Sequence, residues 1–518
     1  MEYIFLYPLI AAALLLFFGL RIIFYRLYAH PLSSFPGPKL AAATFLYEFY
    51  YDVIRNGMYI WEIERMHEKY GPIVRINPRE LHIKDPYYYE DIHASGARKR
   101  NRDPQYAVAY GAPYSLVGTI QHDHHRLRRT FIQNYFSKRS VSNLTPYIWE
   151  KVDQLIQRFE RAYKESSVLH LQLDFGALTA DVITQYCYGW NYGYLNDTKN
   201  ATRVDLVDAV SGLMLMFHIN RFLPFLVTIF RTAPPGVVRF LQPRMGDLFD
   251  VKARLREQSI AALKDKKSED KDETNKKDEK SEESNSIFDA LVGENVPAEE
   301  KTVDRLVDEA ALLLGAGTET TARSLAVSMF HVINNKEIGR KLREELKTVL
   351  EKPTSKASWT DLEQLSYLTG VVNEGLRLSH GMTARLSRIS PIDPMLYKDW
   401  VIPAGTPVSQ SNYFVHMDPT LFPEPEKFDP DRWTRAADKG EHLSRFIVSF
   451  TKGSKQCLGM NLAYAEIYMT LAHIVRRFEF TPHETTPEDL AVRRSMGVGV
   501  SMDCKFDVKA KVVGIVEE

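Results

Sequence analysis

Cysteine is scarce in this sequence. Only three cysteines occur in 518 residues, Cys187, Cys457 and Cys504. Their spacing is far too wide for a C-x-x-C zinc site or for the disulfide framework of a small secreted protein. We therefore expect the main body to occupy a reducing compartment. If one of these cysteines binds a metal, it does so as the sole protein ligand and not as a member of a cluster.

Net charge is lacking as well, because 66 Lys and Arg balance 66 Asp and Glu. This composition does not suggest a protein that binds nucleic acid. No internal repeat is recognisable, and proline and glycine mark no clear domain boundary. The chain is longer than a single ordinary core supports, so we expect several lobes or one unusually large domain with room for a buried pocket.

Uncharged stretches are rare, and the strong one lies at the N-terminus. Residues Tyr3–Leu20 carry no charge and are long enough to cross most of a bilayer as a helix. Arg21 and Arg26 follow this run, and the positive-inside rule then places the body in the cytosol. A cleaved signal peptide is the alternative, but its basic residues would precede the apolar run. The sequence predicts an uncleaved single-pass anchor over residues 1–28, in the endoplasmic reticulum membrane.

The rest of the chain divides into a short connector and a large body. Prolines 31, 36 and 38 predict a proline-rich hinge over residues 29–40. Residues 41–518 are expected to form one domain that is mainly α with a minor β lobe, since helical periodicity dominates and "PIVRINPRELHI" alternates like a pair of strands. The lysine- and acid-rich residues 264–286 predict a charged, disordered insertion.

The lone cysteine in "FTKGSKQCLGM" stands where a loop meets a helix. Cys457 is followed by a predicted helix whose N-terminal N–H groups and dipole favour the thiolate. Gly453 and Gly459 allow the backbone to approach a flat ligand, and Lys455 is suited to a nearby anion. An ordinary buried cysteine is the alternative. In this setting a thiolate can serve as the axial ligand of haem iron.

A long apolar helix, Leu306–Asn335, contains the polar stretch "AGTETT" at its middle. Small and β-branched residues disfavour a regular helix, so a widened turn is expected there. Ala316 and Gly317 would let the helix lie against a flat cofactor. The Thr320 hydroxyl and the Glu319 carboxylate would then form a proton-delivery pair. An ordinary kink with a polar patch is the alternative.

Two further groups of charged residues complete the pattern. Glu374 and Arg377 share one helix face, and downstream Arg432 would extend them into a buried ion network of structural importance. The basic helix "HDHHRLRRTF" carries Arg129. Its arginines would either face solvent or bind the two propionates of haem, since Arg suits carboxylates.

Together these motifs resemble the cytochrome P450 family, the haem-thiolate monooxygenases, over nearly the whole chain from about Pro31. The family pattern F-x-x-G-x-R-x-C-x-G matches Phe450, Gly453, Cys457 and Gly459, with Lys455 in place of the usual arginine. The style of the chain is similar to filamentous-fungal members of secondary metabolism related to trichodiene oxygenase. The other matches are Ala316, Gly317, Glu319 and Thr320 for A-G-x-E-T, Glu374 and Arg377 for E-x-x-R, and Phe428, Pro430, Arg432 and Trp433 for F-x-P-x-R-W.

The resemblance implies the roles of the site residues. Cys457 would bind the iron of haem b, and His125 and Arg129, which replace the usual W-x-x-x-R, would hold one propionate. Arg388 would hold the other, with Arg385 as an open alternative. Phe450, Gly459, Lys455 and Ala316 would contact the cofactor. Substrate contacts are expected among Tyr106, Tyr110, Tyr114, Leu116, Leu312, Leu313, Ala316, Met382, Thr383, Ala384, Met496 and Val498.

The implied reaction uses O₂ and electrons from NADPH, delivered by a membrane-bound cytochrome P450 reductase, to hydroxylate or epoxidise an apolar molecule. A terpenoid or polyketide intermediate is the expected substrate. Two other readings remain open at this point. One is a haem-thiolate isomerase or dehydratase that needs no reductase, and the other is a non-catalytic haem-binding sensor.

Overall fold

The structure is a computed structural model that describes residues 2–196, 216–234, 246–269, 286–504 and 506–517, together with positions 212, 214, 236, 237 and 240. Helices dominate it, and the strands are short. The longer helices are α1 Glu2–Phe24, α2 Tyr59–Tyr70, α3 His122–Ile132, α4 Thr145–Glu165, α5 Leu171–Tyr188, α6 Phe225–Thr232, α7 Gly246–Glu269, α8 Val303–Asn334, α9 Lys336–Leu346, α10 Ser366–Ser379, α11 Asp431–Asp438 and α12 Met460–Arg477.

Shorter helical segments connect these elements. The α-helical ones are Lys39–Ala43, Leu46–Phe49, Tyr89–Ile92, Pro104–Ala107, Lys138–Asn143, Phe217–Phe222, Ile287–Val292, Trp359–Leu362, Asn412–His416 and Pro487–Leu490. Two π-helical turns, Tyr25–Ala29 and Tyr50–Ile54, and four 3₁₀ turns, Pro86–Tyr88, Ala298–Glu300, Leu443–Phe446 and Gly453–Lys455, are also present in the described part.

The strands form four small sheets. They are β1 Ile73–Arg75, β2 Leu81–Ile83, β3 Asn101–Arg102, β4 Leu169–His170, β5 Arg388–Ile389, β6 Met395–Tyr397, β7 Trp400–Ile402, β8 Pro407–Ser409, β9 Phe478–Pro482, β10 Arg494–Met496, β11 Val498–Val500 and β12 Lys509–Ile515. The largest sheet has the order β1-β2-β8-β5-β3. Within it β3 and β5 run antiparallel, and Arg102 lies directly opposite Arg388.

The main core forms around α8, which packs along α5 and also contacts α10 and α12. Gly317 makes the close approach to α5 possible, because a Cβ at this position would lie 2.9 Å from Ile183 Cγ1. The Thr179 hydroxyl of α5 donates to the Thr318 carbonyl oxygen of α8 at 2.8 Å. We expected Gly317 to make room for a flat cofactor, and its missing Cβ also makes room for the neighbouring helix.

The architecture confirms the prediction of a mainly helical body with a minor β lobe. Strands β1 and β2 form the expected antiparallel pair. At the N-terminus, the segment Tyr7–Ala29 is long and apolar enough to cross a membrane, with a mean hydropathy of 2.1 and none of it buried. After it, Leu32 and Phe35 are buried against the body, and Phe35 stacks on Trp400.

The expected charged insertion at 264–286 is only partly described. Residues 264–269 continue helix α7. Ser286 begins the next helix through a capping box with Asp289, which ends the insertion with a defined structure. Residues 270–285 lie outside the described part of the chain.

Candidate active site

A single internal cavity brings together all of the predicted site residues. It lies between α8, the cysteine loop at the start of α12, helix α3 and strand β5. The predicted site residues that line it are Cys457, His125, Arg129, Arg388, Lys455, Phe450, Gly459, Ala316, Glu319 and Thr320.

The cysteine loop is closed by a backbone hydrogen bond from the Cys457 N–H to the Phe450 carbonyl oxygen, at 2.9 Å. Gly453 has a φ of +71°, and a Cβ there would lie 1.9 Å from the His93 carbonyl oxygen. This glycine is therefore required for packing against the His93 backbone, and the expected ligand role does not apply to it. Gly459 lines the cavity, and nothing lies within 4 Å of the position its Cβ would take.

The Cys457 side chain exposes its surface to this cavity. Burial raises the pKa of its thiol, against the lowering effects of the Gly459 N–H and the Arg129 guanidinium. We expected the start of α12 to favour the thiolate by itself. Burial is the larger effect, so in the protein alone the thiol keeps its proton. A bound metal ion would remove that proton, since the thiolate is the ligand form of cysteine.

Four of the buried or half-buried cations that line the same cavity lie near the cysteine loop, namely Arg102, Arg129, Arg388 and Lys455. Arg102 and Arg388 face each other across the β3–β5 pair, an arrangement that is unfavourable for like charges. Burial and, to a smaller extent, the three arginines lower the pKa of Lys455 to about 6. Among the charged groups that act on Lys455 in the described structure, none is acidic.

Several polar atoms at this cation cluster have no partner in the described structure. They include Lys455 Nζ, Arg102 Nε and His125 Nδ1. Burial and the surrounding cations hold the pKa of His125 far below its usual range, so its ring is neutral and can donate from one nitrogen only. Unpartnered buried donors of this kind require an acceptor. The cluster therefore fits a ligand with carboxylate groups, as the two propionates of haem provide.

Arg102 was not predicted from the sequence as a site residue. Its only signal is its place in the basic stretch "RKRNRD" ahead of the basic helix, and basic stretches are usually solvated.

The hydrogen-bond partners of Arg388 and Arg385 distinguish these two candidates for the second propionate. Arg385 pairs with Glu48 and, at 3.3 Å, with Glu80. Arg388 donates only to the carbonyl oxygens of residues 386 and 387 in the described structure.

Helix α8 carries the predicted proton-delivery pair without a break. The α-helix is continuous from Val303 to Asn334, so the expected widened turn is absent from it. The Thr320 hydroxyl donates to the Ala316 carbonyl oxygen at 2.7 Å, which satisfies it within the helix. Burial raises the pKa of Glu319, and Arg323, 3.8 Å away, opposes that shift.

The predicted ion network around Glu374 is confirmed. Arg377 donates to both carboxylate oxygens of Glu374, at 2.9 and 2.7 Å, and Arg432 lies 3.3 Å from the same carboxylate. The Asp429 N–H and the Trp433 indole N–H also donate to Glu374, at 2.9 and 3.2 Å. Because the carboxylate is fully buried and fully bonded, the network joins α10 to α11.

The wall on the α8 side is largely apolar, as expected for substrate contacts. The predicted contacts that line the cavity are Tyr110, Leu116, Leu312, Leu313, Ala316, Met382 and Val498. The others do not line it within the described structure: Tyr106, Tyr114, Thr383, Ala384 and Met496. Tyr106 instead accepts a hydrogen bond from Arg221. Two charged side chains on this wall, Lys252 and Glu309, were not predicted.

Comparison with known proteins agrees with this site. The family profile described as "Cytochrome P450" matches residues 38–502. The chain is 44% identical to "Cytochrome P450 monooxygenase TRI4" of Fusarium sporotrichioides over 93% of this chain and 90% of that protein. It is 44% identical to "Cytochrome P450 monooxygenase aflU" of Aspergillus parasiticus over 95% of this chain and 96% of that protein.

A third relative is "Conidiogenone synthase PchP450" of Penicillium rubens, which is 42% identical over 94% of this chain and 96% of that protein. The match to the family profile covers most of the chain and contains the cysteine loop, the middle of α8 and the Glu374 network. The chain belongs to the cytochrome P450 family and is a monooxygenase of the fungal secondary-metabolism type.

Proposed function

We propose that this monooxygenase binds haem b in the cavity, with Cys457 as the sole protein ligand of the iron. It would use O₂ and NADPH-derived electrons to hydroxylate or epoxidise an apolar small molecule. One observation carries the proposal: the only cysteine on the cavity wall shares that wall with a cluster of cations that lacks an acidic partner in the described structure.

Several residues around Cys457 would hold the cofactor, and each would have a different role. Arg102, Arg388 and Lys455 would pair with the propionates, since nothing else in the described structure neutralises them. Arg129 and His125 would supply further donors from α3. Arginine offers a fixed fork of donors and lysine a single flexible one, so the arginines would orient the carboxylates and Lys455 would mainly supply charge.

The remaining residues near the cofactor shape the space for it. Phe450 packs against Tyr464 of α12, with ring centroids 5.1 Å apart, and presents an apolar surface to the cavity. Gly459 and Ala316 line the cavity with little or no side chain. They leave room where a larger side chain would block a flat ligand.

When bound, thiolate-ligated haem supplies the activation of O₂. The chain's own contribution is to deliver protons and exclude water. The Thr320 hydroxyl donates a hydrogen bond to the Ala316 carbonyl oxygen, and its oxygen can still accept one. Burial raises the pKa of Glu319, which keeps a proton available on its carboxyl group. For delivery, the Thr320 hydroxyl would turn from Ala316 to donate its own proton into the cavity and would take a replacement proton from Glu319.

The apolar wall supports an apolar substrate, and the relatives support its general kind. Leucines 312, 313 and 116 line the cavity, which suits a terpenoid or polyketide skeleton. The similar proteins include a conidiogenone synthase and several monooxygenases of filamentous fungi. We propose that this chain likewise oxidises an intermediate of fungal secondary-metabolite biosynthesis.

The apolar N-terminal helix is the basis of the proposed domain organisation and membrane location. Residues 1–28 would anchor the protein in the endoplasmic reticulum membrane and 29–40 would form a proline-rich hinge. Residues 41–518 would form the cytosolic catalytic domain, with the charged insertion at 264–286. An anchored body would receive electrons from a membrane-bound cytochrome P450 reductase and its apolar substrate from the bilayer.

The ferrous–CO difference spectrum of the protein in microsomes tests this proposal. Wild type should give the strongly red-shifted Soret band of thiolate-ligated haem, and Cys457→Ala should lose it. Cys504→Ala is the matched control, because Cys504 lies outside the cavity and should leave the band unchanged. A wild-type band at the position of histidine-ligated haem, or a normal band in Cys457→Ala, would refute the ligand assignment. Substrate turnover with NADPH and reductase then tests the reductase requirement.

A further inference from the structure

The apolar wall of the cavity contains two charged side chains that haem binding and proton delivery do not use. Lys252 of α7 and Glu309 of α8 both line it. Glu309 precedes Thr320 by eleven residues, which corresponds to about 16 Å along the helix axis. Lys252 and Glu309 therefore lie toward one end of the cavity wall, and Thr320, near which the substrate would be oxidised, lies toward the other.

The Lys252 ammonium has no hydrogen bond and no ion pair within the described residues. Its nearest acidic influence is Asp308, the neighbour of Glu309, and burial lowers its pKa while Asp308 opposes that shift. Asp308 is already engaged, since Arg231 lies 2.7 Å from its Oδ1 and the Tyr114 N–H donates to its Oδ2 at 3.1 Å. Lys252 therefore retains donors that point to an acceptor from outside the chain.

Glu309 is fully buried and only half satisfied. Its Oε2 accepts from the Leu116 N–H at 2.9 Å and lies 3.5 Å from Arg305, whereas its Oε1 has no partner in the described structure. Burial raises the pKa of Glu309, against the opposing effect of Arg305. A carboxyl group that keeps its proton can donate, so Glu309 and Lys252 both favour an acceptor atom.

We propose that Lys252 and Glu309 recognise an acceptor oxygen of the substrate, so that the enzyme takes an apolar molecule that already carries a carboxylate or carbonyl group at one end. This inference rests on the proposed function, because it takes Thr320 to mark the oxidised end. A pure hydrocarbon would leave the Lys252 ammonium unsolvated and unpaired, which is unfavourable in an apolar cavity. A group held at Lys252 would also fix which carbon reaches the Thr320 end.

Because the substrate must already carry an oxygen, this enzyme would act after the reaction that installs that oxygen. The acceptor oxygen must be installed before the substrate reaches this cavity, either by an acyl-condensing reaction that leaves a carbonyl or carboxyl group or by an earlier oxidation. The enzyme then oxidises a carbon remote from that oxygen. An unoxygenated cyclisation product would not be its substrate.

Binding of three probes with one carbon skeleton tests the proposal: farnesoic acid, methyl farnesoate and the hydrocarbon farnesane. The holoenzyme is titrated with each, and dissociation constants are measured from the Soret shift and from ligand-induced thermal stabilisation. Wild type should bind the acid and the ester at least about tenfold more tightly than the hydrocarbon, because a site built for a hydrogen bond rejects a ligand that lacks it.

Variants assign that preference to the two residues. Lys252→Met should reduce the preference to less than about threefold by weakening acid and ester binding, and Lys252→Arg should largely retain it. Lys264→Met is the matched control, because Lys264 is exposed on the same helix, and should behave as wild type. Glu309→Gln keeps the contact with the Leu116 N–H and should weaken ester binding less than Lys252→Met does.

Two results would overturn the proposal. One is a wild-type enzyme without preference for the oxygenated probes, and the other is a Lys252→Met enzyme that keeps the preference. The ferrous–CO spectrum of the same samples separates this failure from that of the proposed function. A sample with the red-shifted band but no preference refutes only the recognition role of Lys252 and Glu309.

Discussion

Arg129 donates a hydrogen bond from Nη1 to the carbonyl oxygen of Gln456, at 2.7 Å. This contact joins helix α3 to the residue that precedes Cys457. Burial lowers the pKa of Arg129, and the Cys457 sulfur, when ionised, would oppose that shift. One guanidinium group thus supports the backbone of the cysteine loop and still has donors available for the cavity.

We predict that Arg129→Met loses haem several times faster than wild type and gives a partly displaced ferrous–CO band. Its loss removes both a donor to the cofactor and a support of the loop. Transfer of haem to excess apomyoglobin measures the rate. Arg126→Met, an exposed position on the same helix, is the control. Equal haem loss in the two variants would contradict a role for Arg129 in cofactor binding.

A second prediction concerns pH and Lys455. Burial and three arginines lower its pKa to about 6, whereas a bound propionate would raise it again. Haem binding then takes up a proton. The Lys455 contribution to affinity should be greatest below about pH 6 and should fall as pH rises, by up to about tenfold per pH unit, until the pKa of the loaded form is reached. Release of the Cys457 thiol proton on metal binding acts in the opposite direction, so the Lys455 contribution is obtained from the difference between wild type and Lys455→Arg.

Rates of haem release between pH 6 and 9 measure this dependence. Lys455→Arg should remove the Lys455 contribution, because arginine stays charged over this range, so its haem affinity should improve relative to wild type as pH rises. Lys452→Arg, at a half-buried position in the same loop, should keep the wild-type slope. The same slope in Lys455→Arg as in wild type would show that another group takes up the proton.

The motif residues of the site could be predicted from the sequence more completely than the charged residues around the cavity. Cys457, Thr320 and Glu319 lie in motifs whose local context, a loop before a helix or a polar stretch in an apolar helix, can be read directly from neighbouring residues. The start of α12 at Met460 agrees with that interpretation. Local patterns of this kind are the strongest signal that a single sequence carries.

The charges of the cavity depend on contacts between distant segments. Arg102 faces Arg388 only because β3 and β5, each two residues long, form a pair, and strands this short leave no periodicity to detect. Lys252 reaches the cavity because α7 packs against α8. A lysine in a charged helix otherwise indicates a solvated face, so its role was not visible in the sequence.

Arg385 and Arg388, three residues apart, also differ in a way that depends on contacts between distant segments. Both lie in one basic segment, and no sequence pattern separates a structural cation from one that binds a ligand. Their partners do separate them, since Arg385 joins Glu48 and Glu80 while Arg388 lines the cavity. The acidic partners Glu80 and Glu48 lie 305 and 337 residues earlier in the chain, where no sequence pattern links them to Arg385.

A third prediction tests the proton-delivery role of Thr320. Thr320→Ala should retain haem but divert a larger share of NADPH electrons to hydrogen peroxide, because the acceptor at the cavity wall is lost. Thr318→Ala is a matched control. Thr318 makes the same hydroxyl contact one turn back, to the Leu314 carbonyl oxygen at 2.9 Å, but it does not line the cavity.

Peroxide formed per NADPH consumed is the measurement, with product formed as a second readout. Thr318→Ala should couple as wild type does. If Thr320→Ala and Thr318→Ala are equally uncoupled, the effect comes from the helix and not from the hydroxyl at the cavity.

The buried network around Glu374 leads to a prediction about folding. Glu374→Gln would leave Arg377 and Arg432 without a neutralising charge, and both are buried. Breaking a buried ion pair by removing one partner costs about 3–5 kcal/mol, which is a large part of the stability of a typical domain. We expect little folded haem protein from this variant and a lower melting temperature for whatever folds.

An exposed pair with the same spacing provides the control. Glu337 and Arg340 lie 2.7 Å apart on the outer face of α9, where water solvates either charge alone. Glu337→Gln should therefore leave the haem content and the melting temperature unchanged. If Glu374→Gln instead folds with a normal melting temperature but lacks haem, the network supports cofactor incorporation and not the stability of the α10–α11 region. If it keeps both, the carboxylate is dispensable and the arginines find other partners.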